Sequence, residues 1–358
     1  MRNSGIADLP LHRGKCPGWL FPLMKKLAGG ISEVIVEEYG KDEFLKRLSN
    51  PYWFQAFGCV LGFDWHSSGL TTTTTGALKE ALKDNVGISV AGGKGKISRK
   101  TPQEIIELGD KIGLKQNTIN ELIKTSKLSA KVDNHLLQDG FQLYHHVLFF
   151  SNKNWVVVQQ GMNNSYARRY HWIKTHDFLN GPHSGIMCDK ITKPFNLVDK
   201  KVEETRKCSL DLIKDHPGYL KKYLKPAKNN QKTLTEYFEM PREHFPEIDI
   251  DLKTLIKAYE IQPKNYEELL MIRGMGQKNI RALALISHLI HGTELSWKDP
   301  VKYSFAHGGK DGWPYPVDKK IFNESIDFLK QTIENTKINN KQKSGVLRRL
   351  NSFYGKLV

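Results

Sequence analysis

The chain has 358 residues, 39% of them apolar, enough for a substantial core and for two or three domains. Its 54 Lys and Arg outnumber 38 Asp and Glu, giving +16 and a pI near 9.4, which favours a polyanionic partner, nucleic acid before an anionic membrane. Four scattered cysteines without a C-x-x-C pair argue against a zinc knuckle or a disulfide framework, and the lack of any run of about 18 apolar residues argues against a membrane span.

The start, MRNSGIADLPLHRGKCPGWL, is Gly/Pro-rich and lacks the apolar h-region of a secretion signal, so a cytoplasmic location is expected. Helices are expected over Ile31–Glu38 and Glu43–Leu48, the second closing at Asn50-Pro51. The run PYWFQAFGCVLGFDWHSSG is aromatic and reads as buried. Thr71–Thr75 is a run of β-branched, poor helix formers that should feed a helix over Ala77–Lys83. GISVAGG reads as a strand entering a glycine loop, and Thr101-Pro102-Gln103-Glu104 has capping-box spacing. The clearest β signal is FQLYHHVLFF-SNKN-WVVVQQGM, two β-rich runs around a four-residue polar turn, which predicts a hairpin. NNSYARRYHW then reads as a polar segment. Residues 200–232 hold ten Lys/Arg against four Asp/Glu and read as helical, then extended, with PREHFPEIDI as connector. The expected organisation is an α+β or α/β domain with a central hairpin or sheet over 1–195 and a basic connector over 196–250. An all-α region follows over 251–358.

That last region carries LLMIRGMGQKNIRALA. Leu269–Ile272 would end one helix, Gly274-Met275-Gly276 would form a tight turn, and Gln277–His291 a second helix. Glycines suit a turn that a β-carbon would penalise and that a phosphate must approach closely. The amides opening the second helix, aided by its dipole, would meet a phosphate oxygen, with Lys278 and Arg281 adding charge. The stretch resembles the helix-hairpin-helix DNA-binding motif, here near residues 266–291. The resemblance implies a sequence-independent grip on the DNA backbone. Downstream, Val317-Asp318 loosely resembles the catalytic aspartate of helix-hairpin-helix glycosylases, although it lies 42 residues past Gly276 (318 − 276) and also suits a helix N-cap.

GIADLPLHRGKCPGWL, FGCVLGFDWHSSGLTTTTTGALKEAL, VAGGKGKISRKTP, QDGFQLYHHVLFF, WVVVQQGMN, YARRYHW and AHGGKDGWPYPVD together resemble the archaeal and bacterial family called domain of unknown function 763, from residue 5 to about 320. The resemblance implies association with DNA through the hairpin and leaves the chemistry to the residues.

Those residues suggest a metal-dependent nuclease. Mg²⁺ or Mn²⁺ would need carboxylates, for which Asp64 and Asp139 are the candidates, and His66 or His171 would act as base. Asp64 and His66, two apart, would share a face on a strand. Arg168 and Arg169 would neutralise phosphate, and AGGKGKISRK, which lacks the P-loop pattern, would bring Lys94 and Lys96 to DNA as a basic loop. The layout faintly resembles the restriction-endonuclease-like arrangement, but Gln159-Gln160-Gly161 is not followed by that pattern's lysine. A diffuse histidine site (His66, His146, His171, His183) is an alternative metal centre. Three functions therefore stand: a metal-dependent nuclease of repair or recombination, a non-enzymatic DNA-binding or scaffold module, and a glycosylase using Asp318.

Overall fold

The structure is a computed structural model. It describes Cys16 and residues 18–63, 68–82, 86–163, 166–188, 191–223 and 250–301, with a few helical residues between 327 and 348. Asp64, His66, Asp318 and the AHGGKDG stretch lie outside the described residues.

The N-terminal third is helical: α1 Leu20–Tyr39, α2 Lys41–Leu48, α3 Pro51–Val60 and α4 Gly69–Ala81. Helix α3 starts where the Asn50 side chain accepts from the amides of Tyr52 and Trp53, with proline inside the first turn. The threonine run does not precede a helix; it lies within α4. Thr75, which is buried, donates to the Thr71 carbonyl at 2.9 Å, and the half-buried Thr72 to the Gly69 carbonyl at 3.2 Å, so both hydroxyls are satisfied within the helix.

Strand β1 (Ser89–Lys94) runs into a 3-10 turn, Gly95–Lys100, and helix α5, Thr101–Lys111. The expected capping box does not form. Thr101 donates to the Ser98 carbonyl, and the Glu104 carboxylate instead accepts from Lys79 Nζ and the Gly92 amide, both at 2.6 Å. Helix α6 (Gln116–Lys131) passes into one π-helical turn, Val132–Leu136, and the short strand β2, Leu137–Gln138.

The expected hairpin is present as β3 (Gln142–Phe150) and β4 (Trp155–Met162). The segment read as merely polar forms β5, Ala167–Ile173, followed by β6, His183–Met187. The sheet order is β1-β3-β4-β5-β6 and all its pairings are antiparallel, which makes the fold α+β. β7 (Phe195–Asn196) pairs with β2.

Both faces of the sheet are covered. Val147, Phe149, Val156 and Val158 pack with α1–α4, and Leu329 and Ile333 join that core. Leu148, Phe150, Val157, Tyr170 and Trp172 point the other way, to α5, α6 and the C-terminal helices α7 (Glu203–Asp211), α8 (Leu252–Ile261), α9 (Tyr266–Met271) and α10 (Gln277–His291). This second core is continuous from Ala91 to Ile286, so the C-terminal helices share a core with the sheet.

Candidate functional site

One end of the sheet is apolar and the other polar. At the polar end, register pairing aligns Lys94, His145, Gln160, Arg169 and Met187 across β1, β3, β4, β5 and β6. The adjacent row, Gly93, His146, Gln159, Tyr170 and Ile186, faces the opposite side. Burying so many polar groups requires partners for them, and each row supplies its own.

On the face toward α5–α10, Asp133 from the π-helical turn is the hub. Its Oδ2 accepts from Gln159 Nε2 at 2.6 Å and Trp172 Nε1 at 2.9 Å, while Oδ1 meets His183 Nε2. Gln159 Oε1 in turn accepts from His146 Nδ1 at 2.9 Å, and Ser126 Oγ donates to His146 Nε2 at 2.8 Å. Pattern reading missed Asp133, because nothing local distinguishes an aspartate beside a helix end from a solvated one.

Asp139 lies on this face too, in a second network. Arg168 reaches Asp139 Oδ2 at 2.9 Å and Asp299 Oδ2 at 2.8 Å, and Tyr170 Oη donates to Asp139 Oδ2 at 2.7 Å. Burial pulls the Arg168 guanidinium down, but Asp139 and Asp299 outweigh it and hold its pKa well above the ordinary value. Arg168 is 0% exposed, so it holds the 299 segment against β5 and presents no charge to a phosphate. The Asp139 carboxylate is likewise committed to the protein's own cation.

The face toward α1–α4 holds Arg169 and His171. Arg169 donates to His171 Nε2 (2.9 Å), Thr71 Oγ1 (3.1 Å), the Pro51 carbonyl (3.3 Å) and Gln55 Oε1 (2.9 Å). Burial lowers its pKa to about 9, which leaves it charged at neutral pH. It is fully buried and, like Arg168, away from any surface a phosphate could reach. Because His171 Nε2 accepts from Arg169, its Nδ1–H donates to the Leu48 carbonyl at 3.0 Å. Burial, then the neighbouring guanidinium, hold its pKa well below the usual range. An imidazole with both nitrogens committed has no lone pair with which to act as base. Asp139 and His171 are thus on opposite faces of the sheet and do not converge. Nor do His146 and His171, so the histidine alternative does not assemble among the described residues, where no group of three or more His, Cys, Asp or Glu is placed to hold a metal.

Two surfaces at the polar end remain open. After β1, Lys94, Lys96, Arg99 and Lys100 are exposed on and beside the 3-10 turn. The second surface is the turn 272–276 between α9 and α10. Gly274 has φ 98°, and a Cβ there would lie 2.6 Å from Thr254 Oγ1, so glycine is needed on both counts. Met275 is buried, and Gly276 is the N-cap of α10, offering no side chain to its first amides. Arg273, Gln277 and Lys278 are exposed. Arg281 is turned inward instead: its Nε donates to Gln138 Oε1 at 2.7 Å and its guanidinium lies 5.4 Å over Phe195. The turn is anchored to the segment leading into the sheet, with Lys131 donating to the Leu270 and Ile272 carbonyls and Gln277 to that of Asn134. The basic turn follows the end of β1 that pairs with the start of β3, and the α9–α10 turn is tied to the segment 131–134 that leads toward β3.

A cleft of about 740 Å³ lies at the opposite, β3–β4 end, over Trp155 and Phe178. It contains none of the residues singled out from sequence.

The sequence profile of the family described as protein of unknown function (DUF763) matches residues 5–317. No curated protein and no solved structure matches the chain.

Proposed function

We propose that this chain, which belongs to the DUF763 family, is a DNA-binding protein that holds the duplex backbone at the polar end of its sheet. The observation that carries the reading is the turn 272–276. It puts a buried methionine between two glycines, opens a 15-residue helix without a side-chain cap, and surrounds that N-terminus with Arg273 and Lys278. Such a helix start attracts a phosphate through its amides and its dipole. As a helix-hairpin-helix it would grip without reading bases, and the exposed lysines and arginine of 94–100 would extend the electrostatic contact.

Fluorescence anisotropy with a labelled duplex tests this. Arg273→Glu and Lys278→Glu change exposed residues and leave the cores intact. Each should weaken binding about tenfold or more and flatten the salt dependence by roughly one counterion for each phosphate interaction removed. Unchanged affinity in both would sink the hairpin assignment.

Metal-dependent hydrolysis of DNA is the second reading. It rests on the sequence expectation for Asp64 and His66, which lie outside the described residues. Incubating nicked, branched and single-stranded DNA with Mg²⁺, with Mn²⁺ and with EDTA separates it from a purely binding role. Cleavage that EDTA abolishes supports hydrolysis; tight binding with no product supports the scaffold.

A further inference from the structure

From the end of β1 to the start of α5 the chain reads KGKISRK, with four cations, one isoleucine and no acidic residue. Lys94, Lys96, Arg99 and Lys100 are exposed, and Ile97, in the middle of the 3-10 turn, is 49% exposed. A half-exposed isoleucine is ordinary by itself. This one is the single apolar side chain of a basic turn, and it is held in place.

The turn is braced at both ends. Gly95 takes φ 61°, which turns the chain out of β1, and Ser98 Oγ donates to the Gly95 carbonyl at 2.6 Å. Thr101 Oγ1 donates to the Ser98 carbonyl at 2.7 Å. On the β1 side, the Gly92 carbonyl accepts from Lys79 Nζ at 2.7 Å and the Gly92 amide donates to the Glu104 carboxylate at 2.6 Å. Ile97 leans on Gly93: a Cβ at that glycine would lie 2.9 Å from Ile97 Cγ2. A β-branched side chain has few rotamers to lose, so Ile97 presents a fixed apolar face at little entropic cost.

A fixed apolar side chain flanked by cations suits a polyanion with apolar layers between its charges. In duplex DNA, side chains such as isoleucine enter a base step as wedges and part the stacked bases, while lysine and arginine hold the phosphates alongside. An anionic bilayer surface would need more apolar area than one isoleucine provides. Parting a base step is costly, and the cost is least where the stack is already broken. We propose that Ile97 is such a wedge, and that the preferred ligand of this turn is duplex DNA whose stacking is interrupted by a nick or a mismatch. The proposal rests on the DNA-binding reading above and adds the kind of DNA that is bound.

The test follows anisotropy of the full chain on duplexes of one length and sequence, either intact, nicked or carrying one mismatch, with 2-aminopurine beside the interruption to report unstacking. The interrupted duplexes should bind about tenfold more tightly than the intact one, and 2-aminopurine should brighten on binding. Ile97→Ala should bring the affinity ratio toward one and abolish the brightening, whereas Ile97→Met, which keeps an apolar tip, should retain both. Lys96→Gln should weaken binding to all the duplexes by similar factors, because it removes charge alone. Binding without preference, or a preference that Ile97→Ala leaves intact, would overturn the wedge and leave the DNA-binding reading standing. Failure to bind any duplex would overturn both, and Ile97-dependent binding to phosphatidylserine vesicles in that case would assign the turn to a membrane surface.

Discussion

Burying Arg168 and Arg169 on opposite faces of the sheet takes two guanidinium groups out of water, a cost each recovers differently. Arg168 is set between two carboxylates, whereas Arg169 relies on neutral acceptors such as Gln55 and Thr71. Removing one partner of a buried pair is the expensive change, because the other charge stays behind. Arg168→Met should therefore destabilise the fold by about 3–5 kcal/mol in urea unfolding, far more than an exposed change such as Lys96→Met. The half-buried His135 and the buried His171 set a pH dependence. Burial pushes His135 from 6.5 to about 4 and His171 well below 6.5. Below pH 6.5 the unfolded chain takes up protons that the native chain refuses, so stability falls as pH drops from 6.5 toward 4. The slope is about 1.4 kcal/mol per pH unit for each such histidine. Denaturation midpoints between pH 7.5 and 4.5 check this, and His135→Asn should reduce the slope by one proton; a flat profile would contradict the burial.

At the scale of elements, α4 and the α9–α10 turn show local preference yielding to packing. Five consecutive threonines disfavour a helix, yet α4 forms because Thr71, Thr74 and Thr75 are buried and their backbone neighbours accept the Thr72 and Thr75 hydroxyls. Gly274 marks the opposite case, in which one residue type is required. Gly274→Ala places a Cβ 2.6 Å from Thr254 Oγ1 at φ 98°, and should cost at least about 1 kcal/mol in thermal unfolding. Lys131→Met removes the cation that caps the Leu270 and Ile272 carbonyls. It should loosen the turn, visible as faster amide exchange over 270–278, with DNA affinity reduced in parallel.

For the whole molecule, the decisive feature is that one apolar core joins the sheet to the C-terminal helices. Leu255, Leu269, Leu270, Ile280 and Leu283 are fully buried in it. A chain ending at residue 250 would leave the α5–α6 side of the sheet without that cover, so it is expected to be insoluble or to lack a cooperative unfolding transition. The expected boundaries at 195 and 250 follow changes of composition, which do not coincide with the edges of this core. The net charge of +16 acts at the same scale: DNA affinity should fall steeply between 50 and 200 mM salt, and a duplex affinity indifferent to salt would remove the electrostatic basis of the proposed function.

The features legible in residue order alone are local ones. The β3–β4 hairpin, its four-residue turn, the opening of β1 into a glycine-rich basic turn and the helices flanking Gly274 all rest on periodicity and turn chemistry within a few residues. The family resemblance over most of the chain was legible too. Which polar residues are buried, and what they meet, emerges only once the chain is folded. ARRYHW looks polar because alternation assumes one wet face, and here both faces are covered. Asp139, Arg168 and Asp299 are far apart in sequence, and no spacing rule links them. A one-residue step along β3 separates His146, whose two nitrogens are both engaged, from His145, whose Nδ1 is buried without a hydrogen-bond partner. Burial and partner choice are set by packing between distant segments, so they cannot be read from the order of residues.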